Sequence, residues 1–195
     1  SLASSGATTL NISGSSELIL TSASSAAALT SIDASALTAA LTITHDDATT
    51  RSITGSAFVD TVTLGTNNFT ATIDLGAGND VLSMQAADIT ALDTISGGEG
   101  TDTLTLTDDL VFTATASAFA GVSSFEKISM ADNKDLTLTD GAVTTLGSTG
   151  ITVVRANGNA AQFVNAASVN GSTLTVTVDG SSNTGTGALN YTIGN

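Results

Sequence analysis

Cysteine is absent from this sequence, so neither disulfides nor thiol chemistry contribute to its fold or its function. Tryptophan is absent too, and aromatic residues make up 4% of a chain that is 41% hydrophobic. The interior must therefore be assembled from small aliphatic side chains, a supply that suits narrow coils better than a wide enzyme-like core. Basic residues are scarce: Lys+Arg number 4 against 18 Asp+Glu, a formal net charge of -14. Such a chain repels nucleic-acid phosphates and anionic headgroups alike, which excludes nucleic acid as a partner. No hydrophobic run approaches the ~20 residues of a spanning helix, so no transmembrane segment is expected. No basic, apolar leader of the cleaved secretory type opens the sequence. Because it starts at Ser1 rather than methionine, it reads as a processed or excised piece.

Proline is also missing, while threonine, serine, valine and isoleucine crowd the sequence and favour a pleated surface. The expected class is all-β. Short alternating segments separated by Gly, Asn, Asp and Ser predict strands near Thr9–Ile12, Glu17–Leu20, Leu41–Thr44, Phe125–Met130, Leu136–Leu138, Ile151–Val154, Leu174–Val178 and Leu189–Ile193. Helical periodicity is hard to find; Ala114–Ser124 alone suggests a short helix or corner. Thr103-Leu104-Thr105-Leu106-Thr107 and Thr173-Leu174-Thr175-Val176-Thr177 alternate with period two, so stacked coils would align their threonines in ladders. Ladders of this kind occur in ice-binding solenoids, but threonine is a common outward residue on any β-solenoid.

One nonapeptide carries most of the information. Gly97-Gly98-Glu99-Gly100-Thr101-Asp102-Thr103-Leu104-Thr105 matches G-G-x-G-x-D-x-U-x letter for letter. Its glycines permit tight, left-handed backbone, so carbonyls can face one centre while Asp102 adds charge; calcium, a hard cation taking six to eight oxygens, suits that cage. Leu104 is expected to point into the roll, away from the metal. A second copy, Leu75-Gly76-Ala77-Gly78-Asn79-Asp80-Val81-Leu82-Ser83, lacks only the first glycine. A third, Gly55-Ser56-Ala57-Phe58-Val59-Asp60-Thr61-Val62-Thr63, keeps the aspartate and the inward Val62 but has Phe58 at the fourth position, a decayed copy that can turn without binding metal. The aspartates recur every 20 to 22 residues, which predicts one coil of a right-handed parallel β-roll or β-solenoid per interval, with the motifs stacked along one edge. Candidate metal residues are Asp60, Gly76, Gly78, Asn79, Asp80, Gly97, Gly98, Gly100 and Asp102.

On these motifs, residues 54 to 107 resemble the RTX proteins of Gram-negative bacteria, exported by type I secretion, and most closely their surface-layer proteins. Leu29–Leu37 with Ala40–Thr44 is similar to the coils that precede the calcium motifs in such proteins, and Gly121-Val122-Ser123-Ser124-Phe125-Glu126-Lys127-Ile128 to a phrase found after them. The resemblance implies residues 1–54 as Thr/Ala/Ser-rich coils, 55–107 as the calcium-binding roll, and 108–195 as continuing solenoid or cap. It implies a secreted structural protein of the extracellular cell surface, ordered by Ca2+ and self-assembling with other copies of itself. Cell-surface polysaccharide, engaged through regions outside this segment, is a further partner. The competing readings are an adhesin segment and the calcium-binding carrier domain of a secreted hydrolase.

Other acidic groupings are weaker. His45-Asp46-Asp47 holds the one histidine, but zinc would need carboxylates for its remaining ligands, an uncommon choice, and a solvated turn is expected there. Asp132-Asn133-Lys134-Asp135 lacks the glycine of a sharp metal turn. Asp108-Asp109 and Asp74 or Asp93 could be paired acids as in glycoside hydrolysis, yet without aromatic platforms for sugars they read as surface or metal-supporting residues. No Gly-x-Ser-x-Gly elbow is present, and the glycine runs lack the Lys-Ser/Thr of a phosphate loop. No catalytic role is expected.

Overall fold

The computed structural model describes residues 7–22, 29–45, 52–65, 70–108, 112–114, 119–130, 136–146, 150–155, 162–168, 175–181 and 189–193. Two long sheets run along the molecule. One contains Thr9–Gly14, Ser31–Leu37, Ser52–Thr54, Thr72–Asp74, Thr94–Ser96 and Val122–Ser123. The other contains Leu18–Ser22, Leu41–His45, Thr61–Leu64, Val81–Met84, Thr103–Leu106, Lys127–Met130, Gly150–Arg155 and Thr175–Asp179. The chain alternates between the two, and every described pairing is parallel. The result is a parallel β-solenoid, all-β as expected.

Period-two patterning sets the register. Val62, Leu82, Leu104, Ile128 and Val153 fall in line across the eight-stranded sheet, and Ile32, Ile53, Ile73, Ile95 and Val122 across the six-stranded one. All are buried, each stabilising the fold by about 1.5–3 kcal/mol. A slip of one residue would turn each such row outward. The alternate positions carry Thr42, Thr61, Val81, Thr103 and Lys127 in one line and Thr44, Thr63, Ser83, Thr105 and Ser129 in the next. Within these rows threonine stacks on threonine at Thr42 with Thr61 and at Thr44 with Thr63, while the ladder expected at Thr103 and Thr105 is broken by valine, lysine and serine. Of the second predicted ladder, Thr173 and Leu174 lie outside the described residues.

Two features depart from the sequence reading. The glycine turns are not bare connections: Ala77–Gly78 and Glu99–Gly100 pair with each other as a small parallel sheet of their own. A fourth sheet contains Phe112–Ala114, Leu136–Thr139, Gln162–Ser168 and Leu189–Ile193. In the coil beyond Val122–Ser123, the place of the next strand is taken by an α-helix, Asp140–Leu146. Ala142, Val143 and Leu146 on that helix are buried, and its last carbonyl accepts the Phe125 N–H at 2.7 Å. The helix packs against Val122–Ser123 and so covers a strand edge that would otherwise be open to pairing. In the suggested corner, Phe119–Gly121 forms a turn leading into strand; residues 115–118 are outside the described set.

Candidate metal centre

Where the chain passes from the six-stranded sheet to the eight-stranded one, the three glycine–aspartate motifs stack. Asp60, Asp80 and Asp102 are each 0% exposed. They sit two residues before the buried Val62, Leu82 and Leu104, and residues two apart on a strand share a face. Leu104 points into the roll as expected, and Asp102, two residues earlier, is equally buried. In register the position reads Leu18, Leu41, Asp60, Asp80, Asp102, Glu126, Ile151, Val176 along the solenoid. Four acids interrupt an apolar ladder.

The acids are tied from coil to coil by their own backbones. Leu41 N–H donates to Asp60 Oδ1 at 2.8 Å, Asp60 N–H to Asp80 Oδ1 at 2.7 Å, Asp80 N–H to Asp102 Oδ1 at 2.8 Å, and Asp102 N–H to Glu126 Oε2 at 2.8 Å. Bonds to an ionised acceptor are the stronger kind. In the opposite direction the carbonyls of Asp60, Asp80, Asp102 and Glu126 accept Val81, Thr103, Lys127 and Thr152 N–H at 2.8 to 3.0 Å, so the column is continuous with the sheet.

The second carboxylate oxygens separate the three motifs. Asp60 Oδ2 accepts Ser56 N–H at 2.6 Å, and the Ser56 hydroxyl donates to Asp60 Oδ1 at 2.8 Å. Asp80 Oδ2 and Asp102 Oδ2 are buried with no hydrogen-bond partner. An unpaired buried polar group costs about 1–3 kcal/mol, more when charged. Burial pushes the Asp80 carboxyl up to about 6, offset in part by the Asp60 N–H and reinforced by the carboxylates of Asp60 and Asp102. Burial raises Asp102 too, with Glu126 adding repulsion. At the ~4.8 Å spacing of paired strands, two neighbouring unit charges repel by about 3 kcal/mol at an effective dielectric of about 20.

Glycine is required in these turns by how closely the coils approach. Gly76 and Gly98 have φ of 94° and 101°, a left-handed region where a side chain is strained. A Cβ on Gly98 would run into the Gly76 carbonyl oxygen, and one on Gly76 into that of Ser56. Those carbonyls accept Glu99 N–H at 2.8 Å and Ala77 N–H at 3.3 Å. A Cβ on Gly78 would lie 2.6 Å from Asp80 Oδ1, one on Gly97 would lie 2.8 Å from Asp102 Oδ2, and one on Gly100 would strike the Gly78 carbonyl. Asn79 is exposed and braces the turn, its Oδ1 accepting Thr101 N–H at 2.9 Å.

Glu126 is the member of the column that motif matching misses, since no G-G-x-G precedes it. The signal is the acid-x-aliphatic triplet: Glu126-Lys127-Ile128 repeats Asp102-Thr103-Leu104, Asp80-Val81-Leu82 and Asp60-Thr61-Val62. Asp93 is a correction in the other direction. It is 2% exposed, not a surface residue, and accepts Ala71 N–H and Thr90 N–H, each at 2.7 Å, and the Thr90 hydroxyl at 3.0 Å. Asp108 accepts Ala86 and Ala87 N–H at 2.9 and 3.0 Å, capping the 3-10 turn Ala86–Asp88 on the preceding coil. Asp74 is exposed and meets only its own turn, accepting Gly76 N–H at 3.3 Å. His45 is not in a solvated turn but buried at the end of Leu41–His45, in register between Ser22 and Leu64. Asp46, Asp47, Asp109 and 132–135 lie outside the described residues.

Comparison with protein-family models, with curated proteins and with solved structures finds no match to this chain. Among the described residues, no three His, Cys, Asp or Glu side chains converge on one point. An ion here would take one or two carboxylate oxygens and complete its shell with carbonyls and water. That donor set is all oxygen, as a hard cation prefers, and offers none of the nitrogen or sulfur that zinc selects.

Proposed function

We propose that this chain is a structural module of a secreted, calcium-dependent bacterial surface layer, a β-solenoid stapled by Ca2+ at its glycine turns and packed against copies of itself. The observation that carries the reading is the pair of fully buried, partnerless oxygens Asp80 Oδ2 and Asp102 Oδ2, stacked on successive coils. Calcium supplies positive charge at those oxygens. Asp80 and Asp102 would hold it, with the carbonyls of the Gly76–Gly78 and Gly98–Gly100 turns as the neutral oxygens at hand. The chain's own part is to keep the two carboxylates in register through the Asp60, Asp80 and Asp102 N–H bonds. Without cysteine, metal is the available staple for an extracellular solenoid, and its absence in the cytosol delays folding until export.

Self-association is supported by the charge distribution. Over the coils from Leu41 to Leu106 the outward row of the eight-stranded sheet is Thr42, Thr44, Thr61, Thr63, Val81, Ser83, Thr103 and Thr105. In a chain of net charge -14, this uncharged face, hydroxyl-bearing except at Val81, is one on which two copies can meet without repulsion. Melting followed by circular dichroism tests the calcium dependence. Ca2+ at 100 times its dissociation constant should stabilise the fold by about 2.7 kcal/mol per site, whereas equal melting temperatures in chelator and in millimolar calcium would refute the reading.

A further inference from the structure

The Asp60 turn carries Ser56 and Phe58 where the two turns above it carry glycine. Ser56, 3% exposed, gives Asp60 two donors: its N–H to Oδ2 at 2.6 Å and its hydroxyl to Oδ1 at 2.8 Å. The same hydroxyl oxygen accepts Phe58 N–H at 3.1 Å, so it is satisfied as acceptor as well as donor. With Leu41 N–H on Oδ1, Asp60 has three donors and neither oxygen lacks a partner. At the equivalent positions Gly76 and Gly98 have no hydroxyl to give and adopt left-handed backbone. Gly76 N–H goes to Asp74 rather than to Asp80, and the second oxygens of Asp80 and Asp102 are left without donors. Two positions further on, Gly78 and Gly100 have φ of 152° and 144°. Phe58, 47% exposed, is not among the residues with positive φ.

From this contrast we infer that Ser56 takes the place of a cation at the Asp60 turn. The turn is a metal-independent rung closed by hydrogen bonds, and Ser56 together with Phe58 keeps a further ion out. The inference rests on the calcium reading of Asp80 and Asp102 and refines it: of three aspartates in one column, two bind Ca2+ and the third does not. The Asp60 rung also gives the metal-loaded coils a preformed neighbour, since Asp60 N–H is the donor that holds Asp80 Oδ1 in place.

The test converts the turn. Ser56→Gly combined with Phe58→Gly restores both glycines, and calorimetry with metal analysis on the full chain should find one more Ca2+ than the unmodified protein binds. Adding Asp60→Asn to that variant should remove the gained ion, with circular dichroism confirming retained β-structure in each. Should the double-glycine variant unfold, hydrogen exchange on the unmodified protein decides. Leu41 and Ser56 amides should stay protected in chelator while the Asp60 and Asp80 amides lose protection. Calcium bound by the unmodified protein without gain in a folded double-glycine variant, or uniform loss of protection in chelator, would overturn this inference alone. No calcium bound by the unmodified protein would overturn both this inference and the function on which it rests.

Discussion

A carboxylate buried above another carboxylate persists only if donors, a cation or a proton offset the charge, and the column contains two different solutions. Asp60 uses donors. Asp80 and Asp102 have one donor each on Oδ1 and nothing on Oδ2, an arrangement that a cation or a proton would complete. This gives a pH dependence with a definite sign. Asp80 is raised from 3.8 to about 6 by burial, so in chelator the folded state binds a proton more tightly than the unfolded chain does. Its contribution to stability is present below about pH 4 and is lost as pH rises to about 6. The melting temperature of the chelated protein should therefore fall between pH 4 and pH 7, and Asp80→Asn should flatten much of that slope. With calcium bound the trend should oppose this one, because protons and the ion compete for the same oxygens. A chelated protein that melts higher at pH 7 than at pH 4.5 would contradict the assignment of Asp80 as an unpaired buried acid.

Among the elements, those with strict alternation were legible in the sequence: Leu41–His45, Thr61–Leu64, Val81–Met84, Thr103–Leu106 and Lys127–Met130 all place aliphatics at every second residue. The stacking of the motifs was legible as well, since an aspartate every 20 to 22 residues marks the length of a coil. Three things were not. The helix Asp140–Leu146 contains glycine and two threonines in its seven residues, DGAVTTL, a weak helix by propensity that forms because it caps a sheet edge. The fourth sheet was not legible as a sheet: Leu136–Leu138 and Leu189–Ile193 read as strands, but nothing local assigns them to a sheet of their own. Asp93 and Asp108 were invisible because each accepts a backbone N–H from 22 residues away in sequence. Asp93 is the brace to probe at this scale. Asp93→Ala would leave Ala71 and Thr90 N–H without their acceptor inside a turn, and stability should fall by about 1–3 kcal/mol. Urea denaturation should report the same loss in calcium and in chelator, because Asp93 is outside the acidic column.

At the scale of the molecule, the solenoid is a row of buried aliphatics with a short acidic column set into it. The acidic surface adds a requirement: copies of a chain with net charge -14 need screening or bridging wherever charged faces meet. If calcium bridges subunits, it should restore ordered sheets or filaments from dissociated protein where sodium chloride of matched ionic strength does not; equal action by both salts means screening alone. A protein that stays monomeric at high concentration in millimolar calcium would favour the adhesin or carrier-domain readings over the surface layer. All of this stands on whether two partnerless oxygens hold metal, and titration calorimetry on the full chain measures that directly. The unmodified protein should bind Ca2+, and the Asp80→Ala, Asp102→Ala double variant should lose that binding while Ser129→Ala, on the outward face of Lys127–Met130, keeps it. Unchanged calcium stoichiometry in the double variant would contradict the assignment.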